Sequence, residues 1–155
     1  MSAETILTRG AAWAEAVKAA CNRRGLHLTP SRERVLAVLS DAAHPLGAYA
    51  ILEALTKREA RPVAPPTVYR ALEFFQENGF LHKIESKNLY APCEHVGHAH
   101  EGVLLLCDSC GRSEEVEDES VANQVQATAA RAGFLARRQM IEVQGVCRDC
   151  AAKAA

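Results

Sequence analysis

No stretch of the 155-residue sequence reaches the roughly 18 consecutive apolar residues that a membrane span requires. The N-terminus lacks a basic start followed by an apolar block, so no secretion signal is expected. Without export, the six cysteines are not expected to form disulfides. A reducing cytoplasm is the expected compartment, where Cys-x-x-Cys pairs read as metal or redox sites. Strong net charge is also missing: 18 Lys/Arg stand against 19 Asp/Glu, a net of −1, which alone points to no nucleic acid. A zinc-dependent nucleic-acid deaminase would show H-x-E followed by P-C-x-x-C. "HAHEG" has no His two residues before Glu101, and no Pro precedes Cys107. An enzyme is therefore not expected.

The length suits one ordinary domain or two small ones, and 48% hydrophobic residues supply a core. Charge divides the chain. Residues 1–92 hold 12 Lys/Arg and 9 Asp/Glu, whereas residues 93–155 hold 6 and 10. A weakly basic front and an acidic, Cys/His-rich back predict two modules with different partners.

The front half reads as helices. The Ala-rich segment 3–24 predicts a first helix stopped at Gly25. In "LTPSRERVLAVLSD", Thr29 is a good N-cap and Pro30 suits the first helical position. A third helix spans Ala48 to Lys57. A fourth starts at Pro66 or Thr67 in "PPTVYRALEFFQENGF", with Val68, Ala71, Leu72 and Phe75 on one face. Tyr69 and Arg70 lie largely off that face in the first turn, where recognition helices read bases. Leu81–Glu85 and Leu89–Ala91 then read as strands around a polar turn. Helices followed by such a hairpin make a winged helix. Thr67, Tyr69 and Arg70 are candidate DNA contacts, with Lys83 and Lys87 on the wing. Arg23, Arg24, Ser31 and Arg32 are further candidates for phosphates or a minor groove.

The back half predicts α+β with a small antiparallel sheet. "GVLLLCD" and "RSEEVE" read as strands, and Asp118 as the cap of a helix whose face is Val121, Val125, Thr128 or Ala129, and Ala132. "FLARRQMIEVQGVC" alternates as another strand. Open sheet edges favour pairing with a second copy, so a homodimer is expected. Cys107-x-x-Cys110 and Cys147-x-x-Cys150 offer the four thiolates of a closed structural zinc site. A thioredoxin-like redox reading would need a βαβ context that neither pair follows. One carboxylate, two imidazoles and one thiolate, such as His82, Cys93, His100 and Glu115, would make a second, mixed site that favours zinc, but spacing alone does not select these four: His95 and His98 compete with His100, and Glu114 with Glu115.

"LTPSRERVL", "PPTVYRALEFF", "GFLHKIES" and "CDSCG", in this order, resemble the ferric uptake regulator family, and most of all its zinc-sensing branch. The resemblance covers about residues 10–150. It implies a winged-helix DNA-binding domain (1–91) followed by a small α/β dimerisation and metal-binding domain with a short antiparallel sheet (92–155). It implies two Zn2+ per chain: a structural one on Cys107, Cys110, Cys147 and Cys150, and a regulatory one on His82, Cys93, His100 and Glu115. The implied partners are double-stranded operator DNA and a second copy of the chain, with no membrane and no small-molecule substrate. The implied function is repression of zinc-uptake genes when zinc is plentiful. The alternative within the family is a sensor of iron, manganese, nickel or peroxide. The family's iron-sensing "HHDH"-like run before the first knuckle is absent; "EGVLLL" stands there instead. His95 and His98 could supply a weak third site.

Overall fold

A computed structural model describes residues 3–96, 102–137 and 139–154, with side chains from residue 9 onward and up to 153. Its contacts cluster into two units, Met1–His98 and Ala99–Ala155. Among the described residues, no helix is long and apolar enough to cross a membrane.

The first unit holds α1 (Ala3–Arg24), α2 (Pro30–Asp41), α3 (Ala48–Glu59) and α4 (Pro65–Glu77), then β1 (Leu81–Ile84) and β2 (Leu89–Pro92). Local chemistry sets these boundaries. Gly25 takes φ +64 after α1, a conformation open to glycine without strain. The Thr29 hydroxyl accepts from the Arg32 N–H at 3.4 Å, and Pro30 occupies the first turn of α2. At the end of α4 the Asn78 amide donates to the Phe74 carbonyl at 2.8 Å. Gly79 (φ +74) then turns the chain so that Phe80 N–H reaches the Phe75 carbonyl at 2.8 Å.

One apolar cluster unites these helices, and Phe75, Phe80, Leu36, Leu39, Ile51 and Leu72 are fully buried in it. Each such side chain contributes about 1.5–3 kcal/mol by leaving water. The Phe74, Phe75 and Phe80 rings meet edge-on or tilted, at centroid distances of 5.4 to 6.5 Å. Helix α1 lies unusually close to α2: a Cβ built on Gly10 would fall 1.7 Å from the Ser40 carbonyl oxygen. The hairpin pairs Leu81 with Pro92 and Ile84 with Leu89, and Tyr90 bridges back to Leu46. This is the winged helix that the sequence predicts.

The unit extends past the wing. Cys93 N–H donates to the Phe80 carbonyl at 3.0 Å, and Val96 packs on the core. These contacts keep residues 93–96 with the first unit, whereas the sequence reading draws its boundary at 91/92.

The second unit holds β3 (Gly102–Cys107), β4 (Ser113–Glu117), α5 (Glu119–Arg131), β5 (Ile141–Gly145) and α6 (Arg148–Ala154). Asp118 caps α5, its carboxylate accepting from Ser120 N–H at 2.9 Å and Val121 N–H at 3.2 Å. The sheet order is β4-β3-β5. The β3–β4 pair is antiparallel as expected, but β3 and β5 run parallel, so the sheet is mixed. The helical connection through α5 is what allows the parallel return. The last strand is also shorter than its alternation predicts, starting at Ile141 rather than near Phe134. The expected face of α5 is continuous but open: Val121, Val125, Thr128, Ala129 and Ala132 line a groove of about 740 Å³ that Phe134 also borders.

Candidate metal centre and nucleic-acid interface

The parallel register carries both cysteine pairs to one end of the sheet. Cys107 closes β3 opposite Gly145 of β5, and Asp108 N–H donates to the Gly145 carbonyl at 2.8 Å. Cys110 sits in the turn after β3. Gly111 (φ +72) completes that turn, its N–H donating to the Cys107 carbonyl at 2.9 Å. Cys147 follows β5, and Cys150 lies in the first turn of α6. One sulfur from each of the four cysteines lies within 4.8 Å of the others.

This donor set fits zinc. Tetrahedral ligands at a Zn–S distance of about 2.3 Å stand about 3.8 Å apart, and Cys110 Sγ lies 3.8 Å from Cys147 Sγ. The backbone N–H groups of Cys147 and Cys110 pull the Cys107 thiol down to about 6. Cys150 is pushed up to about 12, because its proton is shared with the sulfurs of Cys147 and Cys110. A thiolate thus forms readily at Cys107, and its neighbours oppose a second charge at Cys150. Four protein ligands would fill a tetrahedron and leave no position for substrate, the arrangement of closed structural zinc sites. Arg112 and Asp149, one from each knuckle region, form an ion pair at 3.1 Å beside it.

The second candidate set is distributed. His82 is half-buried on β1, and Cys93 is fully buried just after β2. A ring nitrogen of His82 and the Cys93 sulfur lie within 4.8 Å of each other. Glu115 lies on β4 opposite Leu104, half-buried, whereas Glu114 lies opposite Leu105 on the other face and is exposed. His98 and His100 lie outside the described residues. His95 is half-buried in the segment after Cys93.

The DNA candidates fall into two groups. On α4, Val68 is buried while Tyr69 (47% accessible) and Arg70 project outward, with Thr67 half-buried beside them. Arg23, at the end of α1, and Lys87, in the wing turn, are exposed, and Lys83 pairs with Glu85 at 2.8 Å. Others are engaged within the fold. The Arg24 guanidinium donates to the Asn78 carbonyl at 2.8 Å and side-chain oxygen at 3.0 Å, and stacks over Phe80. Arg32 donates to the His27 carbonyl at 2.5 Å and covers the Phe74 ring at 3.6 Å. Ser31 accepts from Arg34 at 3.0 Å. Sequence reasoning missed the Arg24 bonds and both ring contacts because Asn78, Phe80 and Phe74 are remote from these arginines in the chain.

Comparison with known proteins supports the same picture. The ferric uptake regulator family matches residues 23–144. The zinc uptake regulation protein of Escherichia coli (strain K12) is 42% identical over 132 residues, 84% of this chain and 76% of that protein. The ferric uptake regulation protein of Legionella pneumophila is 32% identical over 130 residues, 81% of this chain and 92% of that one. Among solved structures, a zinc uptake regulator complexed with zinc and DNA superposes with a TM-score of 0.82 at 34% identity, covering 100% of this chain and 99% of that one. The holo form of XcZur gives 0.82 at 45% identity, covering 91% and 98%.

Proposed function

Because the chain belongs to the ferric uptake regulator family, we propose that it is a zinc-responsive transcriptional repressor. It binds palindromic operator DNA as a homodimer in the cytoplasm and controls zinc-uptake genes. The observation that carries the choice of metal is Cys93: a buried thiol within 4.8 Å of a His82 nitrogen. A thiolate softens a mixed nitrogen, oxygen and sulfur set and biases it toward zinc and away from Fe(II) and Mn(II). The relatives point the same way, since identity to the zinc uptake regulation protein of Escherichia coli exceeds that to the Legionella ferric regulator.

Two zinc ions per chain are proposed. Cys107, Cys110, Cys147 and Cys150 hold the permanent one; His82, Cys93, His100 and Glu115 hold the sensed one. When bound, zinc supplies a fixed coordination point for four side chains. His82 and Cys93 belong to the DNA-binding unit and Glu115 to the dimerising unit. Their common ligation would therefore restrict how the recognition helices of a two-fold dimer are presented. Palindromic half-sites demand a separation of one turn, about 34 Å, or a multiple. A hundredfold gain in operator affinity needs about 2.7 kcal/mol of coupling, well below the roughly 10–16 kcal/mol of structural zinc binding.

On DNA, Tyr69 and Arg70 would read base edges, with Thr67 beside them. Arg23, Lys83 and Lys87 would meet phosphates. Arg24, Ser31 and Arg32 could join only in addition to the internal bonds they already make. The test is a gel shift on fragments selected from genomic DNA with zinc, repeated after chelation. A zinc-dependent shift, lost in Cys93→Ser while one zinc per chain remains, is the expected result. A shift indifferent to zinc, or a Cys93→Ser chain that binds like the parent, overturns the reading.

A further inference from the structure

We propose that Gly102 is a positioning residue for the Glu115 carboxylate. This inference rests on the reading of Glu115 as a sensing ligand. In the β3–β4 register, Gly102 pairs with Glu117 and Leu104 with Glu115. Gly102 and Glu115 are therefore diagonal neighbours on one face, the face on which Leu104 and Leu106 are buried. Diagonal neighbours usually meet side chain to side chain. Here the Glu115 side chain folds back over the space that position 102 leaves open. A Cβ at residue 102 would lie 3.0 Å from Glu115 Oε1 and 3.2 Å from its Cγ, with the Val116 carbonyl oxygen at 3.5 Å.

The glycine is not there for its backbone. Among the described residues, the positive-φ glycines are Gly25, Gly79, Gly111 and Gly133, and Gly102 is not one of them. Within a strand, glycine is the poorer choice beside any residue with a side chain, because it loses more conformational freedom and packs nothing. What it provides at residue 102 is room. That room is filled by the acid that stands on the buried face, and not by its exposed neighbour Glu114. A methyl group at 102 would push the carboxylate aside by a few tenths of an ångström. Metal ligands tolerate such displacement poorly, and mutation of the residues that orient a ligand typically weakens metal binding about 10- to 100-fold.

The test uses the full chain and zinc itself, with a chromophoric chelator as competitor. Four proteins are compared: the parent, Gly102→Ala, Glu115→Ala and the double variant. The expected result is that Gly102→Ala keeps its structural zinc and binds the second zinc about tenfold more weakly. In the Glu115→Ala background, the same change should make no further difference. Cobalt substituted for the second zinc should show altered ligand-field absorption in Gly102→Ala. Parent-like affinity in Gly102→Ala overturns the proposal. So do losses that add in the double variant, or loss of the structural zinc, since either would mean that residue 102 serves the sheet alone. Parent-like affinity in Glu115→Ala would remove Glu115 from the sensing set. That result sinks the underlying reading and takes this inference with it, a pattern distinct from the failures above.

Discussion

The backbone N–H of Cys147 donates to the sulfur of Cys107 at 3.3 Å, tying the end of β3 to the segment that follows β5. The staple is thus prepared by main-chain geometry as well as by cysteine side chains. Replacing Cys147 with Ser removes a soft ligand from a closed set of four. The expected outcome is loss of the structural zinc and unfolding of the second unit, with the helices of the first unit retained. Zinc counting and amide exchange resolved by segment check both parts.

Gly10 has a different role. A Cβ there would overlap the Ser40 carbonyl at 1.7 Å, and a backbone atom cannot rotate away. Gly10→Ala should force α1 off α2 at a cost of about 1–3 kcal/mol, the usual penalty of overpacking. Urea unfolding measures it, and a change below a few tenths would mean that α1 shifts without resistance.

Arg70 projects from the first turns of α4 and is exposed. Arg70→Ala should weaken operator binding by about 1–3 kcal/mol and relax sequence preference at one base pair. Lys87→Ala, in the wing turn, should instead weaken binding evenly across sequences and reduce its salt dependence. Titrations at several salt concentrations, against the operator and a scrambled duplex, separate the two behaviours. Zinc content should stay unchanged in both variants.

Val143 lies on the edge strand β5, 48% accessible, beside Leu105 at 37%. An edge strand with apolar side chains suits pairing with a second copy. Val143→Glu should dissociate the dimer while leaving the four-cysteine site loaded. Light scattering gives the mass, and a parent-like dimer would place the interface away from this edge.

Much of the first unit is legible in the sequence because its signals are local. Thr29-Pro30 opens a helix, Asn78-Gly79 closes one, and the apolar spacing between them gives the buried face. The mixed sheet is less legible, because strand pairing depends on residues far apart in the chain. A clue was nonetheless present: both Cys-x-x-Cys pairs follow a strand, and two such ends meet only if the strands run the same way. The α5 face was legible, but its covering was not. An apolar stripe marks a surface to be covered, but not whether the same chain covers it. Arg24 and Arg32 show the limit for DNA contacts, since an arginine that caps a carbonyl and stacks on phenylalanine looks in sequence like one reserved for phosphate. Gly102 left no sequence signal, because its meaning lies in a diagonal neighbour on another strand.

The parallel return of β5 beside β3 also bears on synthesis. Helices α1 to α4 and the wing complete their core from one continuous stretch of chain, and can assemble as it leaves the ribosome. The central strand of the second unit must wait with one flank uncovered until β5 and the second knuckle have been translated. A nascent chain therefore passes through a stage in which the first unit has its whole core while the four-cysteine set still lacks Cys147 and Cys150.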